Sequence, residues 1–141
     1  MTHLCALTHP SDEQKRYIRE LLALSELCQV DRESENALTQ VPDEVMYGSA
    51  GYLFSLLFIY ARREKLGIEL PSDFVPTMRR LFDTIVQRGV DCAVINANAG
   101  VSLPPLVWVY HNQPYLGAAH GAAGILLILL QTLQLTSYFD G

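Results

Sequence analysis

The sequence has no lysine or arginine after Arg88, because all ten basic residues of the 141-residue chain lie at or before that position. The formal net charge is −5. Nucleic acid binding needs a concentrated basic surface, so the composition argues against a nucleic acid partner.

Cysteine is scarce as well, with only Cys5, Cys28 and Cys92 and no CxxC or Cys-His arrangement. An odd and widely spaced set is typical of reduced thiols and not of a disulfide framework. A zinc site built from these three thiols stays open as an alternative, although nothing in their spacing indicates one. The N-terminus lacks a basic segment followed by an apolar one, so no signal peptide is expected.

Charge is also missing from residues 117–135, a run long enough to approach a membrane span. His120, Gln131 and Gln134 interrupt this run, and no basic residue flanks it as a topology anchor. The pattern favours a buried helix, with membrane association as the alternative.

What is present is typical of a globular protein, since 50% of the residues are hydrophobic and 18% are charged. We expect a single domain over residues 1–141. Two of its segments have the pattern of amphipathic helices. One begins after Ser11, and the other begins at Ser72 or Asp73 and is expected to end at Gly89. Their predicted inward faces are Tyr17, Leu21, Leu24 and Cys28 in the first and Val75, Met78, Leu81, Phe82, Ile85 and Val86 in the second.

Two further segments are apolar nearly all round, which is typical of helices in an inner layer. One follows Tyr47 and is closed by Gly67, and the other runs from near His120 towards Thr136. The connector that starts at Val90 is expected to be loop or short strand, with a small hairpin turning at residues 112–114. The order predicts an all-α protein in which apolar helices lie inside amphipathic ones.

Both apolar helices begin with the same pattern, GSAG from Gly48 and GAAG from Gly121, and these first glycines are 73 residues apart. Glycines at a helix start allow close backbone approach and leave first-turn N–H groups open to a ligand. The pattern predicts an internal repeat of helical hairpins.

Two residues at these helix starts are candidates for chemistry. His120 lies in GAAHGAAG, and histidine is the side chain that exchanges a proton near neutral pH. The alternative is a histidine that caps its helix and bonds to a neighbouring carbonyl group. Glu44 precedes Gly48 by four residues, and its alternative is a solvated acid at the start of a helix.

Four aromatic residues lie near these candidates in the sequence. Tyr47 could donate a hydrogen bond to a site, or simply pack at the helix start. Trp108, Tyr110 and Tyr115 either wall a substrate-binding pocket or cover the helix ends. The other histidines, expected on the surface, are His3, His9 and His111.

The stretch LPPLVWVYHNQPYLGAAHGAAGIL resembles the eukaryotic LanC-like family, relatives of bacterial lanthionine synthetase cyclases. Members carry a Pro-Leu-x-aromatic-x-aromatic run and then a Tyr-Leu-Gly-Ala-Ala-His-Gly block, matched here by residues 105–110 and 115–121. Residues 44–52 resemble the family's Glu-x-(Leu/Phe)-(Tyr/Val)-Gly-Arg-x-Gly-Tyr block. The resemblance covers residues 42–135, with a weaker match at residues 3–5.

The resemblance implies an (α/α) toroid of inner and outer helices, incomplete in this chain. It implies zinc-assisted addition of a thiol, glutathione in the eukaryotic branch, to dehydroalanine or dehydrobutyrine in a protein or peptide. His120 would be the catalytic acid/base. Glu44 falls where the family has an acid. Substrate-binding roles are expected for Tyr47, Trp108, Tyr110 and Tyr115.

The chain departs from the family at the zinc ligands, a Cys and a later Cys-His pair, because no cysteine follows Cys92. We therefore expect no metal ligand and no cofactor in this chain, with zinc held by full-length relatives. The chain alone is expected to be inactive, as a gene-model fragment or a truncated paralogue. The alternative is a non-catalytic binding or scaffold remnant. The expected location is the cytoplasm or, peripherally, the plasma membrane.

Overall fold

The structure is a computed structural model that describes residues 12–29, 41–98, 100 and 104–136. Within these residues the protein is all-α, as predicted, and contains no strand. Its helices are α1 (Asp12–Ala23), α2 (Ser49–Arg62), α3 (Phe74–Asn98) and α4 (Ala122–Thr136), with a 3₁₀ helix (Leu24–Gln29) that continues α1. The predictions for His3, Cys5, His9 and Ser11 lie outside the described residues.

Helix α2 occupies the centre of the fold, where it contacts both α3 and α4. Its sequence is apolar on several sides, so it can bury side chains against both neighbours. Each fully buried aliphatic side chain contributes about 1.5–3 kcal/mol. The core residues are Leu53, Leu56 and Leu57 from α2, Met78, Leu81 and Ile85 from α3, and Ile125, Ile128 and Leu129 from α4.

The buried face of α1 differs from the predicted one by one residue in register. Ile18 and Leu22 are buried, whereas Tyr17 and Leu24 are about half exposed. Cys28 is buried, as predicted. Apolar residues lie on two neighbouring faces of α1. The change to 3₁₀ geometry after Ala23 rotates the following residues relative to these faces. Docking against the core decides which face is buried.

Helix α3 continues past Gly89 to Asn98, so the predicted helix end at Gly89 is wrong. Gly89 is buried because the indole of Trp108 lies against it, and a Cβ there would stand 2.7 Å from Cε2 of that ring. The glycine serves close packing and not helix termination. Residues 90–98, expected in a connector, are helical, with Ala93 buried.

The predicted hairpin is a single antiparallel bridge between Tyr110 and Gln113. Its turn residues are His111 and Asn112, with φ of 48° and 59°, which places the turn earlier than residues 112–114. As for the membrane alternative, no helix in the described part of the chain has the length and apolar character needed to cross a bilayer.

Tyr52 fastens α1 to α2, because its hydroxyl donates a hydrogen bond to the carbonyl oxygen of Leu21 at 2.6 Å. Burial raises the pKa of this hydroxyl from its ordinary value of 10.0 to about 12. The folded protein therefore keeps this proton where the unfolded chain loses it. Stability from this group is complete below pH 10 and is lost as the pH rises towards 12.

We expect Tyr52→Phe to lower the free energy of unfolding by about 1 kcal/mol at neutral pH, the usual net value of such a hydrogen bond. The variant should also lose part of the alkaline decline. Urea unfolding at several pH values measures both effects. Tyr17→Phe is the matched control, since the Tyr17 hydroxyl bonds to the exposed Glu13. Equal effects in the two variants would contradict the assignment.

Candidate functional site

Equivalent backbone hydrogen bonds form at the starts of α2 and α4. Ser49 N–H donates to the carbonyl oxygen of Pro42 at 2.8 Å, and Ala122 N–H donates to that of Tyr115 at 2.9 Å. Each donor follows the first glycine of its helix start, and each acceptor precedes that glycine by six residues. The internal repeat is therefore present in the backbone geometry, and it places Tyr47 and His120 at equivalent positions.

The second glycine of each helix start lies against the loop that precedes it. A Cβ on Gly51 would overlap the carbonyl oxygen of Val45, and a Cβ on Gly124 would overlap that of Ala118. These two acceptors are again equivalent in the repeat. The G-x-x-G pattern thus reflects two loops folded tightly back onto their own helices.

The carboxylate of Glu44 is buried, with its side chain 1% exposed. Met46 N–H donates to Oε2 at 2.8 Å, and Tyr47 N–H donates to Oε1. Burying a charge is costly unless hydrogen bonds satisfy it, and these amides supply two. Glu44 is therefore not the solvated acid that the sequence left open as an alternative.

His120 completes the set, because its Nδ1 lies 2.7 Å from Oε2 of Glu44. A carboxylate accepts hydrogen bonds, so this contact is a hydrogen bond in the tautomer with the proton on Nδ1. Val45 N–H donates to the carbonyl oxygen of Ala119 at 3.1 Å and joins the two loops directly beside this pair. The side chain of His120 is 38% exposed, which leaves Nε2 as the ring nitrogen that can meet a substrate.

Two tyrosine rings approach the imidazole of His120, and both tyrosines precede this histidine in the sequence. The Tyr110 ring is nearly parallel to the imidazole, with centroids 5.0 Å apart and an interplanar angle of 7°. The Tyr47 ring stacks at 6.3 Å and 17°. Tyr47 is largely exposed, so its ring can contact both the imidazole and an approaching ligand.

The other two aromatic candidates are placed differently. Tyr115 is about half exposed, and its ring centroid lies 6.2 Å from that of Tyr110. Trp108 is buried, and its Nε1 donates to the carbonyl oxygen of Ile85 at 2.8 Å. Trp108 thus packs onto α3, whereas Tyr47 and Tyr110 stack on His120 and Tyr115 lies beside Tyr110. His111 is exposed, as expected.

Sequence reasoning missed a buried ion pair beside the site. Nη1 of Arg88 lies 3.0 Å from Oδ1 of Asp43, with side chains 12% and 6% exposed. No sequence pattern indicates this ion pair, because Asp43 and Arg88 are 45 residues apart in the chain. Cys28 lies close by, and burial raises the pKa of its thiol, while a hydrogen bond to Ser49 and the charge of Arg88 act in the opposite direction.

The described residues contain no cluster of metal-binding side chains. No three His, Cys, Asp or Glu side chains there lie close enough together to hold a metal ion. The zinc implied by the resemblance is therefore not assigned to any of them.

The fold and the site together define an all-α protein of repeated helical hairpins whose Gly-x-x-Gly helix starts join a buried carboxylate to a histidine. The family model described as lanthionine synthetase C-like protein matches residues 4–138. The chain belongs to this family.

One curated relative is Glutathione S-transferase LANCL1 of Danio rerio, which is 30% identical to the chain over 108 residues. The match covers 77% of this chain and 25% of the zebrafish protein. The chain thus spans about a quarter of the length of this relative.

Proposed function

We propose that the chain carries the acid/base group of a thiol-addition site, in which glutathione adds to a dehydroalanine or dehydrobutyrine residue of a protein or peptide. The observation that carries this proposal is the His120 imidazole, whose Nδ1 contacts the buried Glu44 carboxylate and whose side chain is 38% exposed. The name of the zebrafish relative, Glutathione S-transferase LANCL1, supports glutathione as the thiol. The helical hairpins would form part of a toroid that the described residues do not close.

The reaction transfers one proton from the thiol sulfur to the α-carbon. The thiol sulfur forms a bond to the β-carbon, the electron pair of the carbon–carbon double bond moves towards the α-carbon, and the α-carbon then accepts a proton. Nε2 of His120 would take the proton from the thiol and return it to the α-carbon, so atoms and charges balance. Glu44 would stabilise the intermediate imidazolium through Nδ1. No step is assigned to zinc.

The substitution His120→Asn tests this role. The chain alone is expected to be inactive because it lacks the zinc ligands that activate the thiol, and an aryl thiol that is ionised at neutral pH does not need this activation. The rate of adduct formation with a dehydroalanine peptide then reports the delivery of the proton to the α-carbon. We expect the rate of the variant to fall by about 100-fold or more, the usual contribution of a general acid. Mass spectrometry of the peptide adduct measures this rate.

His111→Asn is the matched control, because the same substitution is made at an exposed histidine in a turn whose positive φ asparagine tolerates. Its rate should stay close to that of the unaltered chain. A native chain that gives no acceleration over the uncatalysed reaction, or equal rates in both variants, would remove the acid/base role from His120.

A non-catalytic scaffold is the second candidate, and a groove between α2 and α4 favours it. The groove has a volume of about 420 Å³ and is bordered by Phe54, Phe58, Gln131 and Leu135, among others. Leu127 and Leu130 on α4 are also more than half exposed. Apolar surface of this kind is typical of partner contacts. This candidate gains support if the chain binds a partner while the addition assay gives only the uncatalysed rate.

A further inference from the structure

We propose that Arg88 is a positioning residue, which holds the Glu44–His120 pair in its working geometry through Asp43. Its relevance to catalysis rests on the proposed function, whereas the positioning itself can be measured without any turnover. Arg88 does not contact the imidazole, so it would act through other residues.

Arg88, on α3, forms hydrogen bonds to three other parts of the chain. Nη1 contacts Oδ1 of Asp43 at 3.0 Å and Oγ of Ser49 at 3.5 Å. Nη2 donates to the carbonyl oxygen of Cys28 at 2.7 Å. The guanidinium thus joins the end of the 3₁₀ helix, the loop before α2 and the first residue of α2. The planar fork of arginine suits such a set of acceptors in a way that a lysine ammonium does not.

The link from Asp43 to the site is covalent, because Glu44 is the next residue in the chain. Consecutive Cα atoms are fixed about 3.8 Å apart, so a shift of Asp43 moves the backbone of Glu44 as well. The Glu44 carboxylate in turn holds Nδ1 of His120 at 2.7 Å. Removal of Arg88 would cost the buried Asp43 carboxylate a charged hydrogen bond of 3.0 Å, which favours a shift of Asp43.

The neighbouring residue Gly89 helps to place Tyr110, a ring partner of the imidazole. Its carbonyl oxygen accepts a hydrogen bond from Val107 N–H at 3.0 Å, and its missing side chain makes room for Trp108. Tyr110, which stacks on the imidazole, follows two residues later. One turn of α3 therefore fixes both the carboxylate and a ring partner of His120.

A merely structural role for Arg88 would lower stability without changing the state of the histidine. The discriminating readout is the tautomer of neutral His120, measured by ¹⁵N NMR in the chain labelled on histidine. An intact Glu44–His120 hydrogen bond keeps the proton on Nδ1. The variants are Arg88→Met, Arg88→Lys and Asp43→Asn, which changes a single atom of the carboxylate and serves as a milder disruption.

We expect the ratio of Nδ1–H to Nε2–H tautomers to fall by about tenfold in Arg88→Met, as loss of part of a charged hydrogen bond would produce. Smaller decreases are expected in Asp43→Asn and Arg88→Lys. Ile18→Ala, a core truncation in α1, is the control that lowers stability and should leave the ratio unchanged.

An unchanged ratio in Asp43→Asn and in any folded Arg88 variant would overturn the proposal. So would an equal decrease in Ile18→Ala, because general loosening would then explain the effect. Thiol addition is not part of this experiment. A failure of the proposed function in the addition assay is thus distinguishable from a failure of the positioning role.

Discussion

Replacement of Gly124 by alanine is expected to lower the free energy of unfolding by about 3 kcal/mol, the upper part of the usual range for overpacking. The added Cβ would overlap the backbone carbonyl oxygen of Ala118 and stand 2.8 Å from Cγ2 of Val45. A carbonyl oxygen cannot rotate away as a side chain can, so the loop itself must move. The better helix propensity of alanine returns only about 1 kcal/mol.

The same shift should reach the site, because the displaced loop leads directly into Ala119 and His120. Gly117→Ala is the matched control in this loop, since a Cβ at Gly117 would meet no atom within 4 Å. Its effect should stay within about 0.5 kcal/mol. Urea unfolding followed by circular dichroism compares the two variants, and equal stabilities would contradict the close packing described at Gly124.

Replacement of Glu44 by glutamine is expected to lower the ratio of Nδ1–H to Nε2–H tautomers of His120 and to lower the free energy of unfolding by about 2 kcal/mol. The carboxylate accepts from Met46 N–H, Tyr47 N–H and Nδ1 of His120. A glutamine amide has a single accepting oxygen, and its NH₂ group must donate. With its oxygen at the Oε2 position the amide still accepts from Met46 N–H and Nδ1 but leaves Tyr47 N–H without an acceptor. With its NH₂ group there, Nδ1 must accept and Met46 N–H loses its acceptor, so either orientation loses one hydrogen bond.

Histidine ¹⁵N NMR measures the tautomer ratio of His120, and chemical denaturation measures the loss of stability. Glu64→Gln is the control, because the Glu64 side chain is 86% exposed and forms an ion pair with Arg63 at the surface. Surface pairs of this kind contribute about 0–1 kcal/mol. A Glu44→Gln chain with both the tautomer ratio and the stability unchanged would contradict the Glu44–His120 hydrogen bond.

Several features of the fold followed directly from the sequence. The apolar segments predicted α2 and α4, and the repeated G-x-x-G pattern predicted that their starts would share one geometry, which the hydrogen bonds to Pro42 and Tyr115 confirm. These signals are local, because they depend on periodicity and on glycines that pack against their own chain a few residues away.

Other features were decided by contacts between distant residues. A glycine at the end of a helical pattern ordinarily indicates a helix end, yet Gly89 continues α3 because Trp108 packs on it. The buried face of α1 was likewise selected by docking. In both cases the sequence permits two local structures of similar free energy, and burial of apolar surface in the assembled core chooses between them.

The sequence by itself determined the all-α class, the family and the identity of His120 and Glu44 as candidates, since each is written in residue type and short-range spacing. It left open whether Glu44 is solvated and whether His120 caps its helix. The tertiary structure decided both questions by bringing the two loops together and burying the carboxylate against the imidazole. Residues 76 positions apart meet because equivalent helix starts pack side by side, a pairing that no local pattern encodes.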